Sequence, residues 1–344
     1  MKFICLDNWN DLPQSSNLLF AQSQKESLFF SREWFEEVVT PALKDDESLL
    51  LACIVDGENV LAILPLIQRD NREWSSLCHL YSSLYTVLLA TDHQQEILAC
   101  LCQGLSQLPF DYLSLEPVAE DDSHIISLQQ MMESSGLSCT RYYRFYNWFH
   151  RVEGQTFAEY MADRPSQVRN TIARKARKLE REHGYEICLH TGGDVQQAMA
   201  DYNAAYEASW KASEQFGKLL DAMSKSLAKP GWPRLAILYI EEQPVAAQLW
   251  FVTHRKAIIF RLAHDETWKR YSPGSILTRY LMEYVIDTDK VEEIDFLVGN
   301  ERYKQNWMAQ RRERWGMVCV HTPKPQEKSN PIIRSLKGLL KKLN

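Results

Sequence analysis

The sequence predicts an α/β protein in which one unit occurs twice in tandem, each copy with a mixed, mostly antiparallel sheet flanked by helices. Three observations support this fold class. Two hairpins of the same form, residues 49–68 and 234–253, lie far apart in the chain. Each is followed by a further strand, an amphipathic helix and another strand, in the same order. A helical segment that includes "KARKLEREHGY" separates the two copies.

The two hairpins share their apolar phase but not their turns. Alternating apolar residues predict two strands around a tight turn at Asp56-Gly57, and Ile240-Glu241 matches Val55-Asp56 in the second copy. Three apolar residues of the first hairpin align with three of the second: Val60, Ala62 and Leu64 with Val245, Ala247 and Leu249. The hairpins are therefore predicted to be copies of one structural unit.

The elements after each hairpin extend the repeat. The segments "LYTVLLA", "HQQEILACLCQGLSQL" and "FDYLSLEP" follow the first hairpin, and "KAIIFRLAH", a helix from Ser275 and "VEEIDFLVG" follow the second. Ahead of the first hairpin, Ser31 is predicted to cap a helix in "FSREWFEEVVTPAL". A boundary near Gly154 gives an N-terminal domain of residues 1–153, a C-terminal domain of residues 154–325 and a tail of residues 326–344.

The composition indicates an ordinary globular protein, with 344 residues, 45% apolar and 24% charged content. A net charge of -6 argues against a chain that coats nucleic acid, so no nucleic-acid partner is expected. The N-terminus lacks the apolar run of a signal peptide. No segment offers the roughly 18 uninterrupted apolar residues of a membrane-spanning helix, so we expect a cytoplasmic protein.

The eight cysteines show neither a C-x-x-C pair nor clustering with histidine at zinc spacing. They are typical of reduced core residues in a reducing compartment. No metal site is expected.

The segment "WKRYSPGSILTRYLMEY", residues 268–284, turns from polar sequence to helical apolar spacing directly after Ser-Pro-Gly-Ser. A helix N-terminus presents unpaired N–H groups and the positive end of the helix dipole, which attract an anion such as a diphosphate. Pro273 pre-sets the backbone, and Gly274 lets a ligand approach closely. Ser272 and Ser275 add hydroxyl donors. An ordinary helix start is the alternative, because Ser, Pro and Gly also begin helices that bind nothing.

The segment "AHDETWKRYSPGSILTRYLMEYVI", together with "VEEIDFLVGNERYKQNW", resembles the GNAT superfamily, specifically its branch named for acetyltransferases of cellulose and other polysaccharide biosynthesis. Relatives of this branch include the Fem-type peptidoglycan aminoacyltransferases. The resemblance extends to "FFSREWF", "VLAILPLIQ", "VRNTIARKARKLEREHGY" and "YEASWK", and so covers most of the chain. It implies two tandem GNAT-like domains, of which the second uses acetyl-CoA or a longer acyl-CoA as co-substrate.

The resemblance also implies that the donor lies on the helix start, on six residues: Arg270, Tyr271, Ser272, Pro273, Gly274 and Ser275. The loop departs from the family pattern Arg/Gln-x-x-Gly-x-Gly/Ala. Arg270 lies four residues before Gly274, and Ile276 occupies a position where a small residue is common. Transfer from an aminoacyl-tRNA therefore stays open.

Acyl transfer to an amine requires that an ammonium loses a proton, that the thioester carbonyl is polarised and that the leaving thiolate is protonated. Near the end of the last core strand, four residues offer this chemistry: Asp295, Glu301, Tyr303 and Lys304. Alternation along residues 293–297 predicts that Asp295 shares a face with Glu293 and Leu297, opposite Ile294 and Phe296. Asp295 is interpreted as a general base or as the residue that orients Lys304. Tyr303 is interpreted as the acid for the thiolate, and Lys304 as the group that binds an oxyanion or a phosphate. The alternatives are an Asp295 paired with an arginine, a solvated Glu301 and a buried Tyr303.

Six residues are predicted to bind the acceptor or a phosphate: Arg169, Arg174, Tyr206, Trp210, Lys211 and Trp307. Arg169 falls next to the apolar stripe of the central helix and needs an anionic partner if it is buried, whereas Arg174 lies on the opposite, basic face. Tyr206 and Trp210 recur at helical spacing, which is typical either of core or of a surface that stacks on sugars.

The preferred hypothesis is an N-acyltransferase in which an amine attacks the thioester directly, on an amino sugar or a related surface-polysaccharide precursor. Two alternatives stay open: a Fem-type transferase that uses aminoacyl-tRNA, and a catalytically inactive GNAT-like scaffold of a glycan-synthesis complex. The tail "SNPIIRSLKGLLKKLN" has the pattern of a basic amphipathic helix. It is predicted either to pack on the body or to contact the inner membrane surface, which suits a lipid-linked sugar acceptor.

Overall fold

The computed structural model describes residues 1–209 and 217–321, which form a mixed sheet of 13 strands flanked by helices. The strands are β1 (Lys2–Leu6), β2 (Glu47–Asp56), β3 (Asn59–Arg69), β4 (Glu73–Ser76), β5 (Leu88–Leu89), β6 (Tyr112–Ala119), β7 (Leu137–Arg151), β8 (Glu186–Thr191), β9 (Pro233–Ile240), β10 (Gln243–Thr253), β11 (Lys256–His264), β12 (Glu293–Val298) and β13 (Gln310–His321). The α-helices are α1 (Ser16–Ser23), α2 (Gln94–Leu105), α3 (Ser123–Ser134), α4 (Phe157–Ala162), α5 (Ser166–Glu182), α6 (Met199–Glu207), α7 (Gly217–Ser226) and α8 (Pro273–Asp287).

Both predicted hairpins are present. The strands β2 and β3 join through a turn at Gly57 and Glu58, one residue later than predicted, and Gly57 has a φ of +60°. The strands β9 and β10 join through Glu241 and Glu242, whose φ values of 50° and 63° are both positive. Paired positive φ values match the twist of a hairpin, and the second turn adopts them without glycine, whereas in the first turn only Gly57 has a positive φ.

The order of strands repeats from the two edges of the sheet towards its centre. The sheet runs β1-β2-β3-β4-β6-β13-β7-β12-β11-β10-β9-β8, and β5 pairs with β3 off this path. The series β1, β2, β3, β4 and β6 therefore corresponds to β8, β9, β10, β11 and β12. In each series one neighbouring pair is parallel, β4 with β6 and β11 with β12. The prediction of two tandem units with mixed, mostly antiparallel sheets is confirmed.

The two central strands are exchanged between the units. The strand β7 follows the first unit in the sequence but pairs with β12 of the second. The strand β13 follows the second unit but pairs with β6 of the first, and also with β7. The boundary between residues 153 and 154 stays a prediction. The second unit is completed by β7, which precedes that boundary, and the first unit by β13, which follows it.

One pair of cysteines departs from the prediction. Cys139 on β7 lies opposite Cys319 on β13, and the two form a disulfide. The expectation that all eight cysteines are reduced is wrong for this pair. The two residues are 180 positions apart, so no spacing motif marks them. Only the pairing of the exchanged strands brings them together.

The predicted helices form with local differences. The Trp34 N–H donates to Ser31 Oγ at 3.1 Å, as predicted for a cap, but residues 34–39 then form a π-helix. In α5, Ile172 and Leu179 of the predicted apolar face are buried. The strand predicted in "LYTVLLA" is reduced to β5, which pairs with β3 outside the main path of the sheet, and β4 instead takes the place that corresponds to β11.

A break of the chain between residues 153 and 154 is expected to leave neither fragment folded alone. Residues 1–153 lack β13, residues 154–344 lack β7, and an unpaired central strand edge exposes its backbone groups. Each fragment alone is expected to show no cooperative transition in urea, and co-expression is expected to restore one. A cooperative transition of residues 1–153 alone would contradict this expectation.

Candidate functional site

The strands β11 and β12 pair in parallel for three residues each and then separate. The pairs join residues 256–258 to residues 293–295, after which β11 continues to His264 and β12 to Val298. A cavity of 1210 Å³ opens between the separated ends, and we call it the splay cavity. Residues 259–262 line one wall and residues 296–298 the other. Its volume exceeds that of most small-molecule sites, so it has room for an elongated ligand.

The helix α8 begins at the edge of the splay cavity, as the Ser-Pro-Gly-Ser sequence predicts. Ser272, with a φ of 53°, connects a 3₁₀ turn to Pro273 in the first turn of α8. Ser272, Gly274 and Ser275 all line the cavity. The donors of the helix N-terminus therefore lie where an anionic ligand can reach them.

Gln248 on β10 holds this first turn in place. Its Nε2 donates to the carbonyl of Gly274 and to Thr278 Oγ1, both at 2.8 Å, while its Oε1 accepts from Trp250 Nε1 at 3.0 Å. Gln248 is only 1% exposed, and each of its polar groups has a partner. Sequence reasoning missed this residue, because it is one polar position in an apolar strand.

Gly274 faces His264 across the cavity wall. A Cβ at this position would lie 3.4 Å from His264 Nδ1, which is ordinary van der Waals contact. The fold therefore does not require glycine here. The absent side chain leaves the first turn of α8 open to a ligand.

One cation contacts the start of α8, and others line the splay cavity. Lys175 Nζ donates to Ser272 Oγ at 2.6 Å, although a cation opposes the positive end of the helix dipole. Arg261, Lys269 and Arg302 line the splay cavity, and Glu301 is the one Asp or Glu among its described lining residues. This charge balance favours an anionic ligand, and four of these five residues were not predicted from sequence.

Lys304 has no N–H group left for a ligand. Its Nζ donates to the carbonyl of Phe296 at 3.2 Å and to that of Val298. It also forms an ion pair of 3.1 Å with Glu301 Oε2. An ammonium has three donors, so these three acceptors use them all. Lys304 is 4% exposed and stabilises the loop after β12 instead of binding an oxyanion directly.

Tyr303 remains available at the cavity wall and is 42% exposed. Partial burial and the nearby Glu301 carboxylate raise its pKa to about 12. The phenol is therefore protonated at neutral pH and has a proton to donate.

Gly299, with a φ of +118°, lies against the Glu301 carboxylate so closely that a side chain at 299 would collide with it.

Asp295 lies outside the splay cavity. Its Oδ1 accepts from Asn147 Nδ2 and from the Leu297 N–H, each at 2.6 Å, and its Oδ2 accepts from Arg312 at 2.7 Å. It shares a face with Glu293, as predicted, and that face points away from α8. Leu297, which was predicted for the same face, lines the splay cavity instead, because its positive φ breaks the alternation. The contacts of Asp295 match the alternative of a carboxylate paired with an arginine. They also hold Leu297, which has a φ of 54°, at the point where β12 leaves β11.

Several other predicted residues lie away from the cavity. Tyr271 is fully buried and donates to Glu182 at 2.8 Å, and the Arg270 guanidinium stacks on its ring at 4.7 Å. Arg169 is half-buried, Arg174 is exposed, and neither lines the cavity.

The remaining residues predicted to bind the acceptor lie in different places. Tyr206 belongs to the buried core. Trp210 and Lys211 lie outside the described residues. Trp307 lines the splay cavity, and its carbonyl accepts from Tyr160 at 2.6 Å and from Arg164 at 3.1 Å.

In residues 1–209 and 217–321, no group of three or more His, Cys, Asp or Glu residues is placed to hold a metal ion. Within the same ranges, the structure contains no helix with the length and apolar character needed to cross a membrane.

Comparison with known proteins identifies one domain. Residues 166–305 match the family described as "Acetyltransferase (GNAT) domain", a range that contains β11, α8 and β12. No curated protein matches the chain.

Solved structures share the whole architecture at low identity. FemX has a TM-score of 0.65 and 9% identity, and the match covers 95% of this chain and 99% of that one. The C-terminal domain of a putative lysylphosphatidylglycerol synthetase from Agrobacterium fabrum has a TM-score of 0.57 and 10% identity, covering 91% and 92%. A tandem GNAT protein of the clavulanic acid biosynthesis pathway has a TM-score of 0.54 and 10% identity, covering 94% and 99%. These likenesses show a tandem GNAT-like fold.

Asp295→Asn is expected to lower the free energy of unfolding by about 2 kcal/mol, because it removes charge-assisted hydrogen bonds that are largely buried. Urea denaturation measures this change. Glu283→Gln is the control, since its ion pair with Arg279 is half exposed and is expected to contribute less than about 1 kcal/mol. Unchanged stability together with lost turnover would instead support the general-base interpretation of Asp295.

Proposed function

We propose that this chain, whose residues 166–305 form a GNAT-type N-acyltransferase domain, transfers an acyl group from acyl-CoA to an amine bound in or beside the splay cavity. One observation carries the proposal: the start of α8 opens onto the gap between β11 and β12. An elongated donor fits this geometry, with its diphosphate on α8 and its thioester between the strands. The cations that contact α8 or line the splay cavity support a donor with several phosphates.

The described residues divide the chemistry among them. The amine lone pair attacks the thioester carbon, and the C–S bond breaks as the carbonyl re-forms. Tyr303 gives its proton to the departing sulfur, which its raised pKa permits. Glu301 accepts the proton that the ammonium loses, while Lys304 keeps the loop that carries both residues in place. Because the amine attacks directly, no covalent enzyme intermediate forms.

We further propose an amino sugar or a surface-polysaccharide precursor as the acceptor, on the resemblance of the sequence to that acetyltransferase branch. An aminoacyl-tRNA donor is the second candidate. The whole-chain likeness to FemX favours it, and the cationic lining of the splay cavity also suits an RNA phosphate. An inactive scaffold is the third candidate. For the acyltransferase we also propose a cytoplasmic location.

Titration with acetyl-CoA tests the donor. The intact chain is expected to release heat and to gain thermal stability with acetyl-CoA or a longer acyl-CoA. Gly274→Val is expected to weaken binding at least tenfold, because its side chain occupies the space of the ligand. Gly193→Val is the matched control, since a Cβ at 193 meets nothing within 4 Å and the site is remote from the cavity.

The outcomes separate the candidates. Equal affinity of the Gly274→Val variant would refute the place assigned to the donor. Absence of heat and of a thermal shift at millimolar acyl-CoA would refute the acyl-CoA donor. Binding of charged tRNA in that case would support the second candidate.

The tail, residues 326–344, lies outside the described residues, and we propose that it contacts anionic membrane lipids. Its apolar residues and its lysines suit the interface of such a bilayer. Sedimentation with vesicles that contain an anionic lipid is expected to deplete the intact chain more than a chain that ends at Gln326. Equal depletion of the two chains would contradict the proposal.

A further inference from the structure

A second cavity, of 530 Å³, lies between the two units and is called here the junction cavity. On β12, Ile294 and Phe296 pack with α8, whereas Asp295 between them lines the junction cavity, as does its partner Ile258 on β11. Successive residues of a strand point to opposite faces, so the junction cavity lies on the face of the sheet opposite to α8. The exchanged strands β7 and β13 supply part of its wall, and residues 24–30 of the first unit supply another part. Its volume suits a small molecule.

Arg314 is a buried cation without a carboxylate partner in the junction cavity. It is 4% exposed, and its Nη2 donates to Asn147 Oδ1 at 3.1 Å. Its Nε has no hydrogen-bond partner, and the guanidinium makes no ion pair with a carboxylate of the described residues. Burial and the neighbouring Arg312 lower its pKa to about 10, although the charges of Asp295, Glu293 and Asp121 act in the opposite direction, so it is still charged at neutral pH. A buried charge of this kind is unfavourable until an anion neutralises it.

The nearest carboxylates are already used by a different arginine. Arg312 pairs with Glu293 at 2.8 Å and with Asp295 at 2.7 Å. The second Asp295 oxygen accepts from Asn147 and from a backbone N–H. These two carboxylates therefore form their ion pairs with Arg312, and their charges act on Arg314 only from beyond the distance of an ion pair.

Further cations line the same cavity. Lys256 Nζ donates to a backbone carbonyl, that of Glu26, at 2.6 Å, and Arg151 lies beside Phe149 at 5.9 Å. The carboxylates of Glu26, Glu120 and Asp121 also border the cavity, but these residues are exposed to solvent, and the Glu313 carboxylate accepts from Trp315 Nε1 at 3.1 Å. Arg314 is buried, so it lies deeper in the wall than the three exposed carboxylates. The Phe149 ring and Ile258 add apolar surface for the uncharged part of a ligand.

We propose that the junction cavity binds the carboxylate or phosphate group of a small molecule through Arg314, assisted by Arg151 and Lys256. We assign this molecule as the acyl acceptor, an assignment that rests on the proposed function. Ser83 lines both cavities, so a bound acceptor lies next to the splay cavity. Bidentate binding of such anions is the characteristic chemistry of a guanidinium.

Calorimetric titration of the full chain without acyl-CoA tests the site. The probes are glucosamine 6-phosphate, glucuronate and glucosamine, which distinguish a phosphate from a carboxylate and from no anion. One of the two anionic probes is expected to bind at least tenfold more tightly than glucosamine. Arg314→Gln is expected to weaken this binding at least tenfold. Arg311→Gln is the matched control, because Arg311 is the exposed arginine of the same strand that stacks on Tyr146 at 4.1 Å and does not line the cavity.

A stability measurement separates a binding role from a structural one. Without ligand, Arg314→Gln is expected to unfold at the same urea concentration as the wild type or at a higher one, since it removes a buried charge. If Arg314→Gln does not fold, Arg151→Gln decides, with an expected threefold loss of affinity and unchanged stability. Unchanged affinity in Arg151→Gln would then overturn the proposal.

The remaining outcomes are equally direct. Failure of both anionic probes to bind, or wild-type affinity in Arg314→Gln, overturns the site. Binding that Arg302→Gln weakens and Arg314→Gln does not would place the anion in the splay cavity and also overturn it. Anion binding without any acyl-CoA binding would remove the acceptor assignment and the proposed function, while acyl-CoA binding without anion binding removes this site alone.

Discussion

The antiparallel pairing of β7 with β13 is the constraint on which the rest of the structure depends. These two strands join the units into one sheet, and each is contributed by the half of the chain opposite to the one it completes. Asn147 on β7 bonds to Asp295 on β12, and Arg312 on β13 bonds to both residues. The end of β12, where the splay cavity opens, is therefore held by strands that come from both sides of the predicted boundary.

The two cavities on opposite faces of the sheet differ in which of their charged residues form ion pairs. In the splay cavity, Lys269 and Arg302 are among the lining residues, while the Glu301 carboxylate forms an ion pair with Lys304. In the junction cavity, Glu293 and Asp295 form ion pairs with Arg312, whereas Arg314 forms none with a carboxylate of the described residues. In both cavities, ion pairs inside the protein therefore occupy particular carboxylates, Glu301 in the splay cavity and Glu293 and Asp295 in the junction cavity.

The last core strand shows where sequence reasoning reached its limit. Alternation along β12 correctly put Asp295 on one face with Glu293 and opposite Phe296. The sequence does not reveal which face borders the splay cavity, because that depends on where α8 packs. Asp295 consequently lies in an ion-pair network, and we propose that Glu301 and Tyr303 in the following loop carry out the proton transfers. The role of Lys304 could not be read from the sequence either. The carbonyls of Phe296 and Val298 point towards its Nζ because the backbone turns at Leu297, and these contacts give Lys304 a positioning role.

The sequence by itself determined the features that depend on neighbours within a few residues. These are the two hairpins, the start of α8 at Ser-Pro-Gly-Ser, the apolar face of α5 and the duplication of the unit. Tertiary structure alone decided the exchange of β7 and β13, the Cys139–Cys319 disulfide and the contacts of Gln248 and Lys175 with α8. The physical reason is that local periodicity and turn chemistry act along the chain, whereas these contacts join residues that only the strand order brings into reach.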